Sequence, residues 1–237
     1  MMKTQALALM AAAAIGSACT DGGTSLVILQ NQVPGAGCSI GTDTSTFNPI
    51  GRIDTDARDG YLFTPVVQSL VAETASETGS PRIVFIEGAD VKLSFQAGLL
   101  SEAEEAGLEE SGLSEFSLPF SGAVMPGGLA SFAFVVVPKK LLDTLAGKVS
   151  AEPAHITAEV TMFGELDGGS VESQSFNYPI QVCSGCMRID NGPCADLPDS
   201  FEPLTGGACQ QLQDVPVDCC TDTEGALVCP AVKTDPV

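Results

Sequence analysis

The segment whose residue types most directly offer chemistry is Cys183-Ser184-Gly185-Cys186. Two thiols separated by two residues can close a disulfide, run thiol–disulfide exchange or supply half of a zinc site. An exchange pair usually opens a helix in a βαβ unit, whereas here the pair follows a segment with strand-like alternation. A zinc site wants a second close cysteine pair or paired histidines, and the remaining cysteine spacings are irregular. The fitting assignment is a structural disulfide framework. The alternative is a metal-binding or redox protein using the carboxy-terminal cysteines.

The chain holds nine cysteines, an odd number for an oxidising compartment. Setting Cys19 aside leaves Cys38, Cys183, Cys186, Cys194, Cys209, Cys219, Cys220 and Cys229, an even set that predicts disulfides. Seven of these lie from residue 183 onward, so at least one bridge must leave the tail, and Cys38 is the partner available to it. If the first and last strands of the body pair, Cys38 comes near the turn that follows them. A bridge from Cys38 to Cys183 or Cys186 is therefore expected. Adjacent Cys219 and Cys220 should bond to different partners, because a ring between neighbours is strained.

Other residues with chemical potential carry less. His155 is the sole histidine, so a Ser-His-Asp or Cys-His arrangement would depend on it. It stands near Pro153 at the start of an alternating segment, where an exposed polar residue is ordinary. Asp54, Asp56 and Asp59 before Gly60 suggest a calcium loop, but the third aspartate and the glycine come one place late for that pattern. Arg58 adds a positive charge there, and a solvated turn fits better. Glu102, Glu104, Glu105, Glu109, Glu110 and Glu115 form an acidic cluster that reads as a solvated face. With no Trp and two Tyr, sugar-binding platforms are poorly supported. No catalytic residue is identified, the protein is read as no enzyme, and no cofactor or metal ligand is assigned.

The elements that would position these residues are mostly strands. Val91, Leu93 and Phe95 alternate with polar neighbours, as do Phe132, Phe134 and Val136. Ile156, Ala158, Val160 and Met162 lead to Asp167-Gly168-Gly169, and Phe176, Tyr178, Ile180 and Val182 form the return strand of a hairpin. A second hairpin is predicted around Asp59-Gly60, joining residues 52–56 to 61–70, with Pro65 marking an edge strand or bulge. Ser101 and Glu104 match a capping box, with Gly107 ending that short helix. A second helix runs from Pro138 through Leu141, Leu142 and Leu145 to Gly147. Roughly seven or eight short strands predict a two-sheet sandwich, immunoglobulin-like in pattern, with a β-barrel as the other architecture. From residue 183 the composition turns to seven Cys and six Pro, a stretch that needs cross-links in place of a core.

The amino terminus has the layout of an export signal. Lys3 precedes an uncharged apolar run from Ala6 to Ile15, and Gly16, Ser17 and Ala18 supply small residues for cleavage. That run is about half of the roughly 20 residues needed to span a bilayer. The expected divisions are a signal peptide over 1–18, a tether over 19–24, a β-sandwich over 25–182 and a cysteine-rich extension over 183–237. Thirty acidic residues against ten basic give a net charge of −20, which disfavours nucleic acid and anionic lipid surfaces and favours a monomer.

Ile15-Gly16-Ser17-Ala18-Cys19 resembles the lipobox of bacterial lipoproteins, with Gly16 where Leu or Val is commonest. The resemblance implies a diacylglycerol and palmitate-type acylation on Cys19; plain secretion with an unmodified Cys19 is the other outcome. In layout the chain resembles the cell-envelope lipoproteins of myxobacteria. The Cys19 signal, the strand over residues 25–33 leading to Cys38, and the Asp167-Gly168-Gly169 hairpin running into Val182-Cys183 carry that likeness. It implies a lipid-anchored protein of the envelope, with Thr20 fitting outer-membrane sorting. Its partners would be the membrane, through the anchor, and an envelope protein. The leading function is thus a non-enzymatic structural or partner-binding module.

Overall fold

A computed structural model describes residues 25–72 and 82–230. The export segment and Cys19 lie outside these described residues. In chain order the strands are β1 (Leu26–Asn31), β2 (Gly51–Asp54), β3 (Tyr61–Phe63), β4 (Pro65–Ser69), β5 (Val84–Phe95), β6 (Glu115–Val124), β7 (Leu129–Ser131), β8 (Phe134–Val137), β9 (Ala154–Leu166), β10 (Gly169–Glu172), β11 (Phe176–Cys183), β12 (Arg188–Pro193), β13 (Val217–Thr221) and β14 (Leu227–Val228). The helices are α1 (Glu102–Glu110) and α2 (Lys139–Leu145). The fold is mostly β, as expected.

The largest sheet has the order β2-β11-β9-β5-β6, with β10 also on β9. Smaller sheets, β1-β4-β7 and β3-β8, share one hydrophobic core with it, giving a sandwich-like body. Alternation does what it should in β9, where Ile156, Ala158, Val160 and Met162 are buried while His155 and Glu159 are exposed. In β5 the buried set slips from Val84 and Ile86 to Ala89, Val91 and Leu93. The register shift between Ile86 and Gly88 absorbs that slip and keeps both halves facing the core.

The late hairpin forms on a two-residue turn, with Asp167 at φ 54° and Gly168 at φ 81°, the pair of positive values that a tight twisted hairpin requires. Its return strand comes in two pieces: β10 pairs with Leu166 to Phe163, and β11 resumes against Val160. Between them Ser173 turns inward, its hydroxyl accepting from Met162 N at 2.9 Å while its own N donates to Met162 O.

Both helices are present. Ser101 and Glu104 close the capping box of α1. Gly107 does not end it; a glycine inside a helix costs only about 1 kcal/mol, and its side-chain direction is open. The stop is Gly112 at φ 65°, where Gly112 N bonds Glu109 O and Leu113 N bonds Leu108 O. α2 begins after Pro138 and buries Leu141, Leu142 and Leu145 completely.

The hairpin expected around Asp59-Gly60 does not exist. β2 lies parallel to β11, and β3 pairs antiparallel with β8. Gly60, at φ 83°, sits with its Cβ direction against the Val137 carbonyl, so the chain there is directed to β8 and away from β2. Pro65 is the first residue of β4, the position where a strand tolerates a missing donor. Across Thr64 the chain passes from the β3-β8 pair to the β1-β4-β7 sheet.

All eight cysteines from Cys38 onward are bonded: Cys38–Cys209, Cys183–Cys186, Cys194–Cys220 and Cys219–Cys229. The neighbours Cys219 and Cys220 do take separate partners. The expected bridge from Cys38 to Cys183 or Cys186 is replaced by Cys38–Cys209, because the premise behind it fails: β1 pairs with β4, and β11 pairs with β2 and β9. The tail is nevertheless tied to the front of the body. Met187, Leu212, Val217 and Cys219 join the same core, so the extension is packed as well as cross-linked.

In the chain-entropy account a bridge stabilises by restricting the unfolded chain, and the effect grows with the loop it closes. Cys38–Cys209 spans 171 residues and Cys183–Cys186 spans 3. That gap corresponds to contributions of roughly 5 and roughly 2 kcal/mol. Replacing Cys38 and Cys209 by serine should therefore lower the denaturant-derived stability by about 3 kcal/mol more than replacing Cys183 and Cys186. Equal losses in paired guanidinium titrations would contradict this ranking.

Candidate functional site

Parallel pairing of β11 with β2 sets Cys183 opposite Asp54. Both are completely buried, and Cys186 is half-buried. The two sulfurs and an Asp54 carboxylate oxygen all lie within 4.8 Å of one another. Among the described residues this is the donor group that could hold a metal ion, and only with the bridge open, since the thiolate is the cysteine form that binds metal. In the oxidised protein the Asp54 carboxylate accepts from Asp56 N at 3.1 Å and Met187 N at 3.3 Å. Thr55 N donates to Cys183 O at 2.8 Å, and the Thr55 carbonyl accepts from Lys139 Nζ at 3.0 Å. The Thr55 hydroxyl is buried without a hydrogen-bond partner.

The segment from Asp54 to Gly60 is thus no calcium loop. Asp54 faces inward to the cysteines, and Asp56 pairs with Arg188 at 2.7 Å, tying β2 to the tail strand β12. Asp59 meets Arg58 in solvent.

A second polar group is built where the tail docks. Residues 212–214 run along the free edge of β2: Asp54 N donates to Leu212 O, and Asp214 N donates to Arg52 O at 2.8 Å. Leu212 and Asp214 hold positive φ values of 63° and 61°, unusual for residues with side chains. That geometry delivers the Asp214 carboxylate to the buried Tyr61 hydroxyl, with both oxygens at 3.1 Å. Tyr61 is 2.9 Å from the Tyr178 hydroxyl, which accepts from Asn31 Nδ2 at 2.8 Å. Asn31 Oδ1 in turn accepts from Thr64 N at 2.7 Å. With Tyr61 donating to the carboxylate, Tyr178 donates to Tyr61, and the donors all run one way toward Asp214.

Burial raises the Asp214 carboxyl above the ordinary carboxylate value, opposed by the Arg52 backbone donor and by Gln213 and Tyr61. Burial, with the Asp214 charge next, pushes Tyr61 well above its usual value. Beside this network Val33, Pro34, Cys209 and Gln210 line a pocket of about 200 Å³.

His155 sits exposed in β9, opposite Gln181 of β11, with its backbone N donating to the Gln96 side chain. The glutamates of the acidic cluster are all exposed, as a solvated face should be. Glu104 is held down to about 2 by its hydrogen bond to Lys148 and by the Ser101 donors of the capping box. Sequence reasoning isolated Cys183 and Cys186 but missed Asp54 as their neighbour, and it missed Asn31, Tyr61, Tyr178 and Asp214 as one group. Two tyrosines in a chain so poor in aromatics were the available signal.

The raised Asp214 value has a sign that can be tested. The folded state keeps the proton at pH values where the unfolded chain has lost it, so stability falls as pH rises from the ordinary value of 3.8 through the raised folded value. Urea titrations across that range should show the parent losing stability relative to Asp214→Asn as pH rises. Tyr61→Phe should cost ~1–3 kcal/mol at neutral pH by stripping a donor from a half-buried carboxylate and leaving the buried Tyr178 hydroxyl without its partner. Depressed carboxyls such as Glu104 add the opposite slope to the parent and to Asp214→Asn alike, so a parent-minus-variant difference that rises with pH over this window would contradict the assignment. Comparison with protein-family models gave no match, and comparison with curated proteins gave none either.

Proposed function

We propose that this chain is an exported, lipid-anchored module of the cell envelope that acts without catalysis, as a rigid structural or partner-binding body. The supporting observation is the cysteine pairing. Four bridges use every cysteine from Cys38 onward, which leaves Cys19 as the one cysteine outside them. Four bridges suit an oxidising compartment, and the odd sulfur falls where a lipobox would place the acylated residue. β1 begins at Leu26, so an anchor at Cys19 would hold the body close to the bilayer.

The charge of −20 adds to this reading. An acidic protein gains nothing from an anionic lipid surface, so attachment would come from acyl chains, each buried methylene contributing about 0.8 kcal/mol. In this reading the layered body is an immunoglobulin-like scaffold, and its acidic surface suits a cationic face on an envelope partner.

The test is mass spectrometry of the mature protein with thiol titration under denaturing conditions. The expected result is an amino-terminal lipopeptide beginning at Cys19, membrane fractionation that Cys19→Ser abolishes, and no free thiol. A mature chain retaining residues 1–18, or one with free thiols at more than one of the four cysteine pairs, would overturn the proposal.

A further inference from the structure

Three of the four bridges have a structural task that their spacing explains. Cys38–Cys209 joins the segment after β1 to the tail, and Cys194–Cys220 and Cys219–Cys229 hold a small sheet that has little core of its own. Cys183–Cys186 differs. It closes a loop of three-residue separation at the end of a strand already paired on both sides, with β2 and with β9. Opening it would release little that the sheet does not already hold.

Its surroundings also suit a thiol better than a disulfide. Asp54 is a fully buried carboxylate within 4.8 Å of both sulfurs. The Ile53 carbonyl stands 3.6 Å from the Cys183 sulfur, and a disulfide has no proton to donate to either acceptor, whereas a thiol has one. The two sulfurs are unequally accessible: Cys183 is buried, Cys186 is half-buried, and the Gly185 side-chain direction meets nothing within 4 Å. The Thr55 hydroxyl, next in the chain to Asp54, is one of two buried side-chain groups without a partner among the described residues. An unpaired buried group of this kind calls for an explanation, and a redox role for the site is one that fits.

We infer that Cys183–Cys186 is an exchangeable disulfide, reduced by a dithiol protein that attacks the accessible Cys186 sulfur, with Asp54 receiving the hydrogen bond of the released Cys183 thiol. The donor attacks as its thiolate, forming a mixed disulfide with Cys186 and expelling Cys183 as a thiolate, which takes up a proton. The donor's second thiol then attacks the mixed disulfide, releasing Cys186, which is protonated in turn. Two electrons and two protons pass to the pair, and the donor leaves as its own disulfide. The inference needs the oxidised pairing alone and stands apart from the anchor at Cys19.

The test uses the full mature protein in dithiothreitol buffers of graded oxidised-to-reduced ratio, quenched by alkylation and peptide-mapped. The Cys183 and Cys186 peptides should be labelled at least ~10-fold faster than those of the other bridges, with the circular dichroism spectrum unchanged. Asp54→Asn should shift that one bridge toward the oxidised form severalfold and leave the other three unmoved. A Cys183→Ala, Cys186→Ala variant that retains the parent spectrum supports a bridge not needed for folding. Simultaneous opening of all four bridges, earlier labelling at another pair, or loss of folding in the double variant would each overturn the inference. An Asp54→Asn protein that reduces like the parent would overturn the part given to the carboxylate. Stoichiometric zinc held by the reduced protein would replace exchange with metal binding.

Discussion

The tail of this protein is held by a hydrogen-bond chain that begins in the first strand and ends on a carboxylate donated by the tail itself. Asn31, Tyr178, Tyr61 and Asp214 come from β1, β11, β3 and the segment after Cys209, and no two are close in sequence. Such a chain is worth forming only if it is complete. In a low-dielectric interior each member strengthens the next, and a missing partner leaves a buried hydroxyl or charge unsatisfied. The positive φ angles at Leu212 and Asp214 belong to this requirement, because they let the backbone pair with β2 while the carboxylate reaches inward. The Cys38–Cys209 bridge closes the same junction covalently. Gly51 belongs to it as well: a Cβ there would stand 2.6 Å from the Tyr61 ring.

The docked tail also solves a problem of the main sheet. β2 is its edge strand, and an open edge is a template for pairing with another chain. Residues 212–214 occupy part of that edge, and Arg188–Asp56 fastens it further along. The extension therefore completes the body as well as being stapled to it. A reading in which the tail is a separate appendage would leave the β2 edge and the Asp214 carboxylate against Tyr61 unexplained.

Both polar groups adjoin β2, and they differ in kind. The tyrosine network is saturated with partners, as a structural junction should be. The cluster of Cys183, Cys186 and Asp54 is loosely satisfied: one carboxylate oxygen has a long contact at 3.3 Å to Met187 N, and the Thr55 hydroxyl has none. That contrast is why the cysteine pair, and not the network, bears the exchange assignment.

Period-two alternation, the capping box at Ser101 and the Asp167-Gly168 turn were readable because each depends on residues a few places apart. Cysteine parity likewise showed that a bridge must run from the tail to Cys38, since that follows from counting. What could not be read were relations between distant segments. The failed hairpin at Asp59-Gly60 looked local, yet Gly60 answers to the carbonyl of Val137 in another strand. The partner of Cys38 depended on which strands adjoin, and the sheet order placed β11 against β2 and β9. Asp54 and Cys183 became neighbours through the parallel register of two strands far apart in the chain, and no spacing in one dimension encodes that. Local backbone preference and pattern thus decided the elements, while side-chain burial and long-range pairing decided which of their residues meet.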